Sequence, residues 1–228
     1  MSQLKEIQTA IEKSCETVGR SAHEITLIAV SKTKPLEAVQ EIYDQGIRCF
    51  GENRVQELLL KKEALPDDIQ WHMLGHLQRN KVKSIVGQVA LIHSVDSIRL
   101  LEALEDEAKK QKKTVSILLE VNIAQEKSKF GFTTDNLDEA LVFLSKCTFI
   151  TCKGLMTVAP YVSKAEENRG IFSKLNKLAV DIRTKNIDNI DMSILSMGMS
   201  GDYEVAIEEG ATMVRIGTAI FGERNITQ

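Results

Sequence analysis

Aromatic residues are scarce: Phe, Trp and Tyr make up 5% of the 228 positions. That leaves too few ring faces for a platform that stacks single-stranded nucleic acid. Neither sign of charge dominates. There are 29 Lys and Arg against 32 Asp and Glu, a formal net charge of −3, whereas binders of duplex nucleic acid carry a basic excess. Proline occurs 3 times and glycine 13 times, which leaves no room for long linkers. The 4 cysteines, Cys15, Cys49, Cys147 and Cys152, form no C-x-x-C pair and no zinc spacing. They read as reduced, half-buried thiols of a cytoplasmic protein. No run approaches the ~18 apolar residues that span a membrane. Near the N-terminus, Leu4, Ile7, Ile11 and Val18 alternate with charges, which makes an amphipathic helix over about 2–19 rather than a signal peptide.

What is present is 43% hydrophobic residues, enough for one core, arranged in a regular alternation of elements. The apolar, β-rich runs are Ile25–Val30, Arg48–Gly51, Ile69–Leu74, Leu91–Val95, Val115–Ile123, Ile150–Met156, Met192–Met197 and Met213–Phe221. Helical patterns separate them: Pro35–Tyr43, Val55–Lys62, Gln78–Val86, a helix capped by Ser97 and carrying Ile98, Leu101, Leu104 and Ala108, and Leu137–Leu144. Then come a long helix behind a capping box at Ser163–Glu166, and Tyr203–Glu209. Strands alternating with helices are parallel βαβ units, and eight of them in a single domain over 1–228 predict a (β/α)8 barrel. The leading helix takes the place of the one missing after the last strand. A doubly wound open sheet would call for a G-x-G-x-x-G turn, which is absent.

In such a barrel the chemistry sits where the strands end. Phosphate sites lie in the loops after the last two strands, which here carry Ser200 and Gly201, and Gly217 and Thr218. Small residues let backbone N–H groups approach an anion, and hydroxyls add donors. A tight turn explains either loop alone; the two together point to a phosphate. Lys32 shares strand parity with Ile28 and Val30, so it faces the barrel mouth, where a desolvated lysine becomes a nucleophile toward an aldehyde. A counter-ion for Glu52 is the competing role, and Lys34 the competing lysine. Arg215 shares parity with Gly217 and offers only donors, either to a carboxylate inside the barrel or to an unprotonated pyridine nitrogen. His72 and His76 have no carboxylate at suitable spacing and read as core or hydrogen-bonding residues rather than a zinc pair.

Six segments, taken in order, resemble one family. They are Ala29-Val-Ser-Lys-Thr-Lys-Pro35, Phe50-Gly-Glu-Asn53, Trp71-His-Met-Leu-Gly75 with Leu77-Gln78 and Asn80-Lys81, Gly154-Leu-Met-Thr157, Ser196-Met-Gly-Met-Ser200 and Met213–Gly222. The chain is identified by them as a member of the pyridoxal phosphate homeostasis protein family. His76 stands where that pattern has Pro. The resemblance implies a barrel like that of alanine racemase, with pyridoxal 5′-phosphate (PLP) at its mouth. The aldimine lysine then falls on Lys32 and the phosphate contacts on Ser200, Gly217 and Thr218. Arg215 falls at the pyridine nitrogen, and Asn53 and Met156 lie around the ring. Apart from the resemblance, Lys129 lies beyond the fifth strand near the mouth and is a candidate secondary acceptor. The implied protein is a cytoplasmic monomer that buffers PLP or delivers it to PLP-dependent apoenzymes, without turnover, nucleic acid, metal or membrane. A small racemase or decarboxylase is the alternative. It is disfavoured because Arg215 opposes a protonated pyridinium and because the chain ends six residues after Gly222, too soon for the second domain such enzymes use.

Overall fold

Eight short runs form the strands β1 (Thr26–Val30), β2 (Cys49–Glu52), β3 (Gln70–Met73), β4 (Leu91–Val95), β5 (Val115–Glu120), β6 (Ile150–Met156), β7 (Ile190–Met199) and β8 (Met213–Ile216). The structure is a computed structural model that describes residues 3–126, 130–134 and 136–223. All neighbouring strands are parallel, they follow chain order, and β8 closes onto β1 with Ile28 opposite Arg215. The helices are α1 (Gln3–Thr17), α2 (Leu36–Asp44), α3 (Val55–Ala64), α4 (Val82–Ile85), α5 (Ile98–Gln111), α6 (Leu137–Leu144), α7 (Arg169–Arg183), α8 (Tyr203–Glu208) and α9 (Thr218–Phe221). α1 packs against α8 and α9, so it does not replace a missing last helix but stands beside a short one, and Arg20 ties its end to the Ile207 carbonyl at 2.9 Å.

Strand alternation divides the core in two. Outward residues such as Ala29, Phe50, Trp71, Ile117 and Leu155 join Val39, Leu58, Leu101 and Phe172 of the helices in a continuous sleeve. Each large side chain buried there stabilises by about 1.5–3 kcal/mol. Inside the barrel, Leu91, Leu118 and Met156 form a separate plug with Val158, Ile194 and Met213.

Several boundaries differ from the sequence reading. The run Met213–Phe221 is a strand only to Ile216; Gly217 leaves the barrel and Thr218–Phe221 winds into α9. The carbonyls of Phe221 and Gly222, at the end of that turn, accept Lys34 Nζ at 2.9 and 3.2 Å, so a tertiary contact decides a segment too short for periodicity to decide. β5 stops at Glu120, β7 is longer at both ends, and Gln78–Val86 resolves into a 3-10 turn (Arg79–Lys81) followed by α4. Ser97 stands at the N-cap of α5 without a side-chain bond. The capping box ahead of α7 lies one residue later than expected: Glu167 accepts from Ser163 Oγ at 3.4 Å and Lys164 N–H at 3.3 Å, while Glu166 pairs with Arg169. Cys15 and Cys152 are buried rather than half-buried, and all four thiols are free.

Candidate functional site

β1 ends in a tight turn. Ser31 O accepts Lys34 N–H at 3.0 Å, and Thr33, the third residue of the turn, has φ 63°. A β-branched residue in that left-handed region costs about 1–2 kcal/mol, so the turn persists because its surroundings fix it. Ser31 points outward, and its Oγ donates to the buried Glu52 Oε1 at 2.6 Å. The alternation therefore carries Lys32, half-buried, toward the mouth. Lys34 is committed elsewhere, to the carbonyls of Phe221, Gly222 and Glu223. Glu52 is paired with Lys61 at 2.7 Å, a partner the sequence reading did not consider. Lys153, on the outside of β6, is 3.6 Å from Asp191. Lys129 lies outside the described residues.

The two loops expected to hold a phosphate meet. Ser200 Oγ accepts Ala219 N–H at 3.4 Å. Asp202 braces the first loop: one carboxylate oxygen accepts Met199 N–H at 2.7 Å and the other Asn168 Nδ2–H at 2.8 Å. Gly217 lies against the end of β1, where an added Cβ would come within 3.2 Å of Val30 O. Gly217 and Thr218 thus stand between Ser200 on one side and the Lys32 turn on the other. Ser200 and Gly217 are half-buried, and Thr218 is exposed.

Beneath the mouth the barrel interior is polar. Arg215 donates to Ser196 Oγ at 2.7 Å and to Thr157 O at 2.9 Å. No carboxylate among the described residues lies within ion-pair distance of it, so the Arg–carboxylate pair weighed from sequence is absent there. Burial lowers its pKa to about 10, partly offset by Glu120 and Asp202, and it remains a cation at neutral pH. Ser196 Oγ also bonds His93 Nδ1 at 2.9 Å, and His93 Nε2 bonds His72 Nδ1 at 2.9 Å. His72 Nε2 ends the chain buried and unpaired. Burial holds both imidazoles neutral: His72 titrates at about 4 and His93 well below its usual value, the latter also through His72 and Arg215. Glu120 is pushed up to about 7, by burial and then by Asp96, against the opposing Arg215.

Asn53 is half-buried at the end of β2. Gly75 passes directly behind it, and a Cβ there would come 2.4 Å from Asn53 O. Met156 is buried in the interior plug, in register with Glu120 and Ser196. His76 is exposed, stacks on Phe130 at 4.0 Å between ring centroids, and bonds Asp96 at 2.7 Å. Lys32, Ser200, Arg215, Gly217 and Thr218 therefore belong to the joined ends of β1, β7 and β8, with Asn53 on the adjoining strand and Met156 lower in the barrel. The sequence reading missed Ser196 as the partner of Arg215, and His93 as the partner of Ser196, although their inward parity on β4 and β7 was a usable signal. It also missed Glu57 and Lys61, whose place on a helix reads as ordinary solvated charge.

A single closed parallel barrel with these features at its mouth has the architecture described by the family model "Alanine racemase, N-terminal domain", which matches residues 8–225. The barrel of alanine racemase from Corynebacterium glutamicum superposes with a TM-score of 0.71 at 13% identity, over 98% of this chain and 62% of that one, a likeness of fold alone. The pyridoxal phosphate homeostasis protein of Aquifex aeolicus is 44% identical over 97% of this chain and 96% of its own length. PipY of Synechococcus elongatus PCC7942, solved with PLP bound, is 35% identical with a TM-score of 0.81, covering 93% of this chain and 100% of PipY. The chain belongs to the pyridoxal phosphate homeostasis protein family.

Proposed function

We propose that this chain binds PLP at the barrel mouth, covalently through Lys32, and acts as a cytoplasmic reservoir or carrier of the cofactor rather than an enzyme. The observation that carries the reading is Arg215: a buried cation bonded to a hydroxyl and a carbonyl, with no carboxylate among the described residues close enough to pair with it. A guanidinium has five N–H donors and no acceptor. It can donate to a pyridine nitrogen and cannot protonate it while its own pKa is about 10. Ser200, Gly217 and Thr218 fit the phosphate, for the loops that carry them meet at Ala219 N–H. Asn53 and Met156 border the ring. PipY, solved with PLP bound, supports the identity of the ligand.

PLP, when bound, supplies an aldehyde carbon open to attack by amines and an aromatic ring that delocalises charge. Lys32 supplies the amine: its ammonium and the aldehyde join in a protonated carbon–nitrogen double bond with loss of one water. Arg215 keeps the ring nitrogen unprotonated, which weakens the ring as an electron sink. The bond to Lys32 can be exchanged for one to another amine, which suits transfer to PLP-dependent apoenzymes.

Deuterium wash-in at Cα of L-alanine and several other amino acids, with holoprotein in heavy water, separates a carrier from an enzyme. The carrier reading predicts exchange far below ~1 s⁻¹, the slow end of ordinary turnover. Exchange at that rate or faster, abolished by Lys32→Ala, would establish a catalyst instead.

A further inference from the structure

The turn that carries Lys32 is held from outside the barrel by one pair of side chains. Glu57 and Lys61 stand i,i+4 on α3, with Nζ and Oε1 2.8 Å apart. Lys61 Nζ donates to Ser31 O at 2.7 Å, the carbonyl immediately before Lys32. Glu57 Oε1 accepts Thr33 N–H at 2.6 Å, the amide immediately after Lys32. The third Lys61 donor goes to Glu52 Oε1 at 2.7 Å, which also accepts Ser31 Oγ–H. All three donors of a side chain only 6% exposed are thus spent on this cluster.

We propose that Glu57 and Lys61 are positioning residues for Lys32, clamping the peptide groups on either side of it so that its amine is presented to the cofactor's aldehyde. The inference rests on the reading of Lys32 as the covalent attachment point. Three features support it. The two contacts flank a single residue and are made to the peptide groups on either side of it. They come from backbone-directed charged groups, which make shorter and stronger bonds than neutral ones. They also hold Thr33 at a φ that threonine rarely adopts. A lysine swings through many rotamers, so the pose of its Cα sets how often Nζ lies within bonding reach. Among the described residues, no hydrogen bond or ion pair links α3 to the phosphate loops or to Arg215, so the clamp should affect the covalent step more than the binding of the phosphate.

The test compares PLP with pyridoxine 5′-phosphate, which has an alcohol in place of the aldehyde and cannot be linked to lysine. Three proteins are titrated: wild type, Glu57→Leu, and Glu57→Gln, whose amide oxygen can still accept Thr33 N–H. Lys61 keeps Glu52 at 2.7 Å, so Glu57→Leu leaves no buried charge unpaired. A second variant, Lys61→Met with Glu52→Gln, removes the other half of the clamp while keeping the buried site neutral, and stands in if Glu57→Leu does not fold. The rate at which the visible band of linked PLP appears should fall at least tenfold in Glu57→Leu and in the double variant. It should recover most of that loss in Glu57→Gln, while affinity for pyridoxine 5′-phosphate stays within twofold throughout. An equal loss for both ligands, or no loss for PLP, would overturn the clamp. Failure of the underlying reading looks different: borohydride reduction of wild-type holoprotein would then label a residue other than Lys32, whatever the variants do.

Discussion

Ser200 uses its hydroxyl as an acceptor from Ala219 N–H at 3.4 Å, a long bond that leaves its O–H to donate to an anion. A hydrogen bond to a charged group contributes about 1.5–3 kcal/mol. Ser200→Ala should therefore weaken PLP binding about tenfold or more, and leave affinity for unphosphorylated pyridoxal nearly unchanged. Titration of both ligands by absorbance checks this, and equal losses would place the role of Ser200 in the fold. At this scale the sequence was informative wherever parity could be counted from a strand. Ile28 and Val30 carried Lys32 inward, and Arg215 and Gly217 followed from one another. It was silent where a side chain's partner comes from another layer. Nothing in Val55–Ala64 distinguishes Lys61 from Lys62, yet Lys61 reaches the Ser31 carbonyl and Lys62 the Gln88 carbonyl. Nor does the chain order reveal that Lys34 is drawn to the end of α9, the contact that separates it from Lys32 as a candidate.

At the scale of elements, strands β3, β4, β7 and β8 each contribute one polar side chain to the chain His72–His93–Ser196–Arg215 inside the barrel. Its protonation sets a pH dependence. His72 has a folded pKa of about 4 against the usual 6.5. A depressed value contributes stability that is present above pH 6.5 and lost as pH falls through about 4. Glu120, raised from 4.5 to about 7, acts in the opposite sense: its contribution is complete below pH 4.5 and is lost as pH rises through about 7. The two slopes oppose each other between 4.5 and 6.5, so single-variant differences reveal them where the wild-type curve does not. In cofactor-free protein, the stability of wild type relative to His72→Gln should fall as pH drops from 6.5 to 4. Relative to Glu120→Gln it should fall as pH rises from 4.5 to 7. Denaturant unfolding at stepped pH measures both, and flat differences would contradict the buried neutral states. Element boundaries were legible where a strand or helix ended on its own pattern. They were not where tertiary contacts decided, as at Gly217, where α9 replaces the expected end of β8.

At the scale of the whole molecule, the alternation of strand and helix was enough to predict the closed barrel, because parallel neighbours and right-handed crossovers leave few other ways to bury eight such units. The polar chain beneath the mouth, and the clamp outside it, emerge only when the strands are set in register. The central claim is that this barrel holds PLP through Lys32, with the phosphate between the ends of β7 and β8. Borohydride reduction of the PLP-loaded protein, followed by proteolysis and peptide mass analysis, tests it most directly. The account predicts the phosphopyridoxyl group on Lys32, with no visible band formed in Lys32→Ala. A label found mainly on Lys34, Lys129 or Lys153 with Lys32 unmodified would contradict it.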